Sequence, residues 1–305
     1  MGKIYITGDC HADFKKIELF CQNYETSRDD VMIILGDAGI NFDLGRWDEN
    51  SKRLLSHLAL TFFCIHGNHE ARPQSLDYYQ EKMWNGGIVY FEAKYPNILF
   101  AKDGEIYELN GKKAIAIGGA YSIDKEWRLL RGAPWFDDEQ PSEEIKEYVE
   151  DRLYEAKWKV DYVLSHTAPL KYEPRELFLD FIDQSKVDKS TEEWLSEIEE
   201  KLDYEKWYFG HYHGNKRLGK SEMLFEGIKE LGCADFLQKV GNPMYKKGDF
   251  VSFEVCKGGR QEVLTGRISG VDAFGTFGQR KEVSYDIMGP ENMLYKHIVE
   301  SKVDG

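Results

Sequence analysis

The 305-residue chain predicts an α/β core followed by a small C-terminal β-barrel. Two patterns carry that expectation. Apolar, β-branched and aromatic runs of strand length alternate with amphipathic helical stretches through the first part of the chain. After Phe236 the pattern changes to short strands broken by glycine-rich turns.

The buried-strand runs are Lys3–Thr7, Val31–Leu35, Thr61–Ile65, Ala114–Ile117, Tyr162–Leu164 and the shorter Trp207–Phe209. Between them lie helical patterns. Asp13–Tyr24 places Phe14, Ile17 and Cys21 on one face, and Asp48–Leu58 follows the second run. A helix over Ser142–Lys159 has Ser142 as N-cap and Ile145, Tyr148, Val149 and Leu153 inward. Ser190-Thr191-Glu192-Glu193 reads as a capping box opening a helix with Trp194, Ile198 and Leu202 inward. Gly87–Ile117 breaks the rhythm: Ile88–Phe91, Ile98–Ala101, Glu105–Leu109 and Lys113–Ile117 read as consecutive strands. Asn110-Gly111 there is a type I′ hairpin signal, so an antiparallel section joins the parallel one and two packed sheets are expected. Beyond the Gly241-Asn242-Pro243 break come Gly248–Val255, Glu262–Ile268 and Val283–Ile287, with a short helix expected over Asn292–His297. The expected domains are residues 1–238 and an SH3-like barrel over 239–305.

Composition limits the function classes. The net charge is −14, and acids and bases balance from Gly241 onward, so the acidic excess belongs to the first part of the chain. That argues against nucleic-acid binding through clustered Lys and Arg. No run approaches the roughly 18 apolar residues of a membrane helix, and Met1–Thr7 reads as a strand without leader features. The five cysteines, Cys10, Cys21, Cys64, Cys233 and Cys256, show no C-x-x-C spacing, which fits reduced thiols in a cytoplasmic protein.

The polar residues fall where they matter relative to the strands. The first run leads into Asp9-Cys10-His11, the second into Gly36-Asp37, and the third into Gly67-Asn68-His69-Glu70. The fifth leads into His166 and the sixth into Gly210-His211-Tyr212-His213. Open α/β sheets place their sites at this end of the strands. Glycines beside Asp37, Asn68 and His211 are expected to let the chain turn sharply there. His57, His66 and His297 stand outside the set and read as hydrogen-bonded structural residues.

Asp-x-His, Gly-Asp, Gly-Asn-His-Glu, a lone His and Gly-His-x-His, in that order, resemble the calcineurin-like metallophosphoesterase superfamily over residues 5 to about 230. The resemblance implies a four-layer αββα sandwich holding two divalent ions, with Asp9, His11 and His213 on one, Asn68, His166 and His211 on the other, and Asp37 bridging. His69 would be the catalytic imidazole. The chemistry asks for such residues: two divalent ions can clamp phosphoryl oxygens and turn a bridging water into hydroxide, while an imidazole protonates the departing alkoxide as general acid or steadies its charge. Carboxylate, amide and imidazole donors without thiolate suit Mn, Fe, Co, Ni or Zn.

The second motif departs from the pattern. Many relatives continue Gly-Asp-x-x-Asp-Arg-Gly, where the Asp orients the catalytic His and the Arg grips phosphate. Here the chain reads Gly36-Asp37-Ala38-Gly39-Ile40-Asn41-Phe42. Replacement phosphate contacts are expected from Arg72, Arg128 or Arg131, since guanidinium forks match phosphate geometry. Tyr121 and Ser122 follow the Gly118-Gly119 turn, where they could also line the pocket, while the aromatic residues over 121–136 read as loop packing; Pro169–Asp188, with Tyr172, Phe178 and Phe181, reads as a lid or a surface excursion. Substrates open on this reading are a phosphorylated small molecule, a nucleotide, a phosphoprotein or, less in keeping with the charge, a nucleic-acid end. The competing class is a catalytically silent phosphoesterase fold serving as a scaffold for partners, which would have lost ligand positions. The Phe274–Gly278 turn reads equally as a recognition loop through which the C-terminal module would meet nucleic acid or a partner and as an ordinary Gly-aromatic turn of a small β-barrel.

Overall fold

The computed structural model describes residues 2–178, 182–237, 241–257, 260–273, 282–290 and 293–305. Phe181 and the Phe274–Gly278 turn lie outside the described residues. The chain divides into two compact units. The first comprises 1–14, 24–225 and 229–235, and the second 15–23, 226–228 and 236–305.

In the first unit, β1 (Ile4–Thr7), β2 (Val31–Ile34) and β3 (Thr61–Cys64) pair in parallel, with every side chain but the half-buried Thr61 buried, as expected for strands covered on both faces. The helix between β1 and β2, α1 (Lys15–Asn23), belongs to the second unit. Helix α2 (Arg46–His57) connects β2 to β3, with Leu55 buried. Beyond β3 the chain forms β4 (Gln80–Trp84), β5 (Gly87–Phe91) and β6 (Ile98–Ala101); β6 returns parallel to β3, and β5 and β4 extend the sheet antiparallel. Strand β4 has no apolar run to announce it. Its turn, Asn85-Gly86, has both residues at positive φ (47° and 87°), the geometry of a tight hairpin.

The second sheet is built from β7 (Ile106–Leu109), β8 (Lys112–Ile117), β9 (Tyr162–Ser165), β10 (Lys206–Phe209), β11 (Lys216–Leu218) and β12 (Ser221–Met223), in the order β11-β12-β10-β9-β8-β7. The four central strands are parallel, and β7 and β11 are antiparallel edges. Asn110 and Gly111 join β7 to β8 with φ of 52° and 77°, the predicted type I′ turn. Period-two alternation directs Ile115, Ile117, Val163, Trp207 and Phe209 to one face. There they pack with Val149 and Leu153 of α4 (Glu143–Glu155) and with Trp194, Leu195 and Ile198 of α5 (Ser190–Lys201). The short α3 (Lys125–Arg131) precedes α4. The first sheet meets the second where Phe63 of β3 packs edge-on against Tyr107 of β7, ring centroids 4.8 Å apart.

Ser142 caps α4 as predicted, accepting from Ile145 N–H at 3.3 Å. At α5 the predicted capping box does not form. Ser190 is already helical and donates its N–H to Asp188 Oδ1 at 2.9 Å, so the carboxylate two residues upstream takes that role.

The second unit holds five antiparallel strands in the order 294–299, 284–288, 260–272, 250–257, 303–304. Val251, Phe253, Ile268, Tyr285, Ile287 and Val303 form its core. The sequence predicts a closed barrel; among the described residues the two edge strands do not pair, so the sheet is open. Strand and turn signals specify ladders, whereas closure depends on stagger that no short motif encodes. The helix expected over 292–297 is instead the strand Leu294–Val299, paired with Ser284–Met288, as its Tyr, Ile and Val content favours. Asn292 lies outside the described residues.

Candidate metal centre

Parallel pairing within each sheet brings the carboxyl ends of β1, β2 and β3, and of β9 and β10, to common edges, and the loops leaving them interlock through the backbone. Cys10 and His11 N–H groups donate to the Asp37 carbonyl at 3.0 and 2.8 Å, and Gly210 N–H to the His166 carbonyl at 2.9 Å. Several of the predicted residues sit in strained backbone: His11, Asp37, His211 and His213 have φ of 46°, 45°, 65° and 50°. Non-glycine residues rarely adopt this region, and strain of about 1–3 kcal/mol each is characteristic of sites where surrounding structure holds them there.

The flanking glycines serve two purposes. Gly36, at φ 92°, makes the sharp turn expected of it. Gly67 and Gly210 are needed for space instead. A Cβ on Gly67 would lie 2.0 Å from Asp37 Oδ1, and one on Gly210 would lie 2.2 Å from Asp9 Oδ1. A carboxylate from another segment is pressed against each backbone.

The seven predicted ligand side chains converge. Asp9 uses Oδ1 to accept the His211 N–H at 2.8 Å, which turns Oδ2 toward His213 Nε2 (3.3 Å) and His11 Nε2 (3.7 Å). The two imidazole nitrogens face each other at 2.9 Å. Asp37 is arranged the same way: Oδ1 accepts the His69 N–H at 2.8 Å, and Oδ2 lies 3.9 Å from His11 Nε2 and 3.7 Å from His166 Nε2. Asp37 thus stands between two donor groups. The second group is Asn68 Oδ1, His166 Nε2 and His211 Nδ1, with Asn68 Oδ1 2.6 and 3.1 Å from the two nitrogens.

Proton positions test whether these donors fit a cation. His166 Nδ1 lies 2.8 Å from the Leu35 carbonyl, which can only accept, so the ring proton is on Nδ1. The Asn68 amide N–H donates to Ser122 Oγ at 2.7 Å, which turns its oxygen inward. Two acceptors, His166 Nε2 and Asn68 Oδ1, therefore oppose each other at 2.6 Å, an arrangement that a cation between them resolves. Metal–ligand bonds of about 2.0–2.2 Å put adjacent donors about 3 Å apart, close to the spacings present.

Electrostatics favour the same occupant. Burial would raise the Asp9 and Asp37 carboxyls, but the surrounding imidazoles outweigh it and hold both below the usual range. Burial lowers His11, and takes His211 down to about 3, leaving neutral rings with lone pairs to donate.

His69 sits beside this cluster, with one ring nitrogen within 4.8 Å of donor atoms of His11 and Asp37. Its ring meets His11 edge-on at 5.4 Å. Burial lowers its pKa to about 4, with Asp37 opposing and Arg128 reinforcing, so the ring is neutral at pH 7.

The three predicted phosphate-binding arginines fare differently. Arg72 is buried, donating from Nε to the Asp138 carbonyl at 2.8 Å and pairing through Nη1 with Asp103. Nε and Nη1 are taken by these structural contacts, and among the described residues Arg72 makes no hydrogen bond or ion pair with the cluster. Arg131 is exposed at the end of α3, with no contact to the cluster among the described residues. Arg128 is buried and reaches His69 Nδ1 through Nη2.

Two contributors are only partly marked out by the sequence. Ser122 fixes the Asn68 amide; its place after the Gly118-Gly119 turn marks it as a pocket-lining candidate, but nothing local gives it this partner. Glu70 is visible only as the end of its motif: fully buried, it accepts the Gly67 N–H at 2.9 Å and holds the Gly67–Asn68 turn. In the segment Pro169–Asp188, Phe178 stacks on Tyr212 at 6.2 Å, beside the last motif.

The calcineurin-like phosphoesterase family matches the sequence over residues 2–215, a span that contains β1 to β10 and every candidate ligand. The chain therefore belongs to the calcineurin-like phosphoesterase family, whose common chemistry is metal-dependent phosphoester hydrolysis. Among solved structures, one chain is similar over 77% of this chain and 97% of its own, at 14% identity and a TM-score of 0.43. TT1561 of Thermus thermophilus is similar over 74% and 89%, at 13% identity and 0.41. Phosphopantetheinyl hydrolase from Mycobacterium tuberculosis is similar over 73% and 88%, at 14% identity and 0.38. No curated protein matches the sequence. Family membership rests on the sequence match.

Proposed function

We propose that this chain hydrolyses phosphate monoesters or diesters with two divalent ions, drawn from Mn, Fe, Co, Ni and Zn. Asp9, His11 and His213 hold one ion, Asn68, His166 and His211 the other, and Asp37 both. Bound there, the ions supply Lewis-acid stabilisation of phosphoryl oxygens and a nucleophilic water at neutral pH. Asp9 and Asp37 bring the negative charge that balances them, and the Leu35 carbonyl and Ser122 hydroxyl keep His166 and Asn68 in the donating orientation. His69, its ring neutral, keeps its Nε2–H and hydrogen-bonds it to the oxygen that leaves, steadying the charge that develops there. The catalytic machinery belongs to a four-layer domain over residues 1–238, with 239–305 a separate module. The substrate is a phosphorylated small molecule, nucleotide or phosphoprotein; no helix among the described residues is long and apolar enough to cross a membrane.

The observation that carries this reading is the pair of opposed acceptors, His166 Nε2 and Asn68 Oδ1, 2.6 Å apart. Metal-stripped protein should lose hydrolysis of p-nitrophenyl phosphate or its bis-ester and regain it on adding Mn. Turnover that persists without metal, or never appears with it, refutes the proposal. His69→Ala should keep its metals and lose about 10²–10³-fold in turnover, as removal of one donor to a developing oxyanion does.

A further inference from the structure

The family pattern orients the catalytic imidazole with an Asp at the position occupied here by Ile40, which is buried and apolar. We infer that Arg128, locked by Asp124, is the positioning residue for His69, a role that the sequence pattern gives to neither. This rests on His69 acting as proposed above.

Every nitrogen of the Arg128 guanidinium is committed. Nε donates to Asp124 Oδ2 at 2.9 Å, Nη1 to the Pro134 carbonyl at 3.4 Å, and Nη2 to His69 Nδ1. The side chain is only 5% exposed, and its carbon centre lies over the Phe42 ring at 5.7 Å. A buried fork anchored through each of its three nitrogens is directed to His69, Asp124 and the Pro134 carbonyl, which argues against the clamp role expected of it.

The contact also fixes a tautomer. Guanidinium has no acceptor, so His69 Nδ1 must accept, and the ring proton is placed on Nε2. An imidazole serving a leaving oxygen needs its proton on one defined nitrogen, and an arginine can enforce that as a carboxylate does from the opposite side. The same segment reaches the cluster twice. Ser122 holds the Asn68 amide and Arg128 holds the next residue's ring, so 122–128 takes over work that the second motif does not perform here.

The test compares Arg128→Ala, Asp124→Asn, His69→Ala and the His69→Ala/Arg128→Ala double variant on phenyl and p-nitrophenyl phosphate. Arg128→Ala should lower kcat on the phenyl ester about 10–10²-fold and on the activated p-nitrophenyl ester several-fold less, with KM unchanged. Asp124→Asn should show the same leaving-group preference in weaker form. The double variant should be no slower than His69→Ala alone, because both changes remove one function. A raised KM with equal losses on both esters, or losses that multiply in the double variant, overturns the inference.

A second readout does not involve turnover. Imidazole ¹⁵N resonances of the metal-free protein should show His69 as the Nε2–H tautomer, and Arg128→Ala and Asp124→Asn should both convert it to a mixture while thermal unfolding stays cooperative. An unchanged tautomer refutes the positioning role. If His69→Ala itself shows no leaving-group dependence, the reading of His69 as donor to the leaving oxygen fails, and the tautomer measurement still decides whether Arg128 sets the ring.

Discussion

Gly67→Ala isolates the packing on which the centre depends, because it adds one methyl group and removes no donor. The new Cβ would lie 2.0 Å from Asp37 Oδ1, 2.2 Å from Asp37 N and 2.8 Å from its Cα, all below the 3.0 Å that real Cβ atoms respect. Asp37 must therefore retreat by about 1 Å, and a displacement of that size at a reacting centre costs about 10²-fold in rate. Its Oδ1 anchors the His69 N–H, so His69 moves with it. Overpacking should also lower stability by about 1–3 kcal/mol. Turnover of a chromogenic phosphate ester, metal content by plasma mass spectrometry and chemical unfolding read the three effects. Wild-type turnover with full metal content would refute the claim that Gly67 exists to admit Asp37.

Three further perturbations test neighbouring parts of the site. Ser122→Ala frees the Asn68 amide and should weaken one of two metal-binding steps by about 10–100-fold in calorimetry, the usual cost of losing an outer hydrogen bond to a ligand; two unchanged steps would dismiss Ser122. Arg72→Ala leaves Asp103 buried without its partner and should cost about 3–5 kcal/mol in denaturant unfolding while KM stays put; a raised KM would restore Arg72 as a phosphate contact. Burial raises Glu192 from the ordinary 4.5 to about 7, against the Thr167 hydroxyl bond that opposes it. The folded state then holds a proton that the unfolded chain releases, so stability present below pH 4.5 is lost as pH rises through 7. Glu192→Gln should match wild type at about pH 4 and exceed it at about pH 8 by up to about 3 kcal/mol, at about 1.4 kcal/mol per pKa unit; equal stability at the higher pH would contradict this.

The site was legible to the extent that its residues follow strands. Asp9, Asp37, Asn68, His166 and His211 each lie within a few residues of a buried apolar run, and parallel pairing brings such positions together. What surrounds them was less legible. Arg128 and Ser122 belong to a loop and a seven-residue helix whose exposed Trp127 and Leu130 obscure any inward face, and their partners are distant in sequence. Arg72 looked well placed because it follows the third motif, yet Asp103, thirty-one residues away, captures it. The capping box at Ser190 failed for a similar reason: Asp188 offered a charged acceptor to the same N–H. In the second unit, alternation and turns predicted strands correctly up to Leu294–Val299, where a short apolar stretch fits either period.

The central claim is that Asp37 stands between two cations held by side chains from five segments. Anomalous diffraction from crystals grown with Mn tests it most directly. Two peaks about 3.5–4 Å apart are expected, one among Asp9, His11 and His213, the other among Asn68, His166 and His211, with Asp37 Oδ2 facing both. A single peak, or none within this cluster, would contradict it.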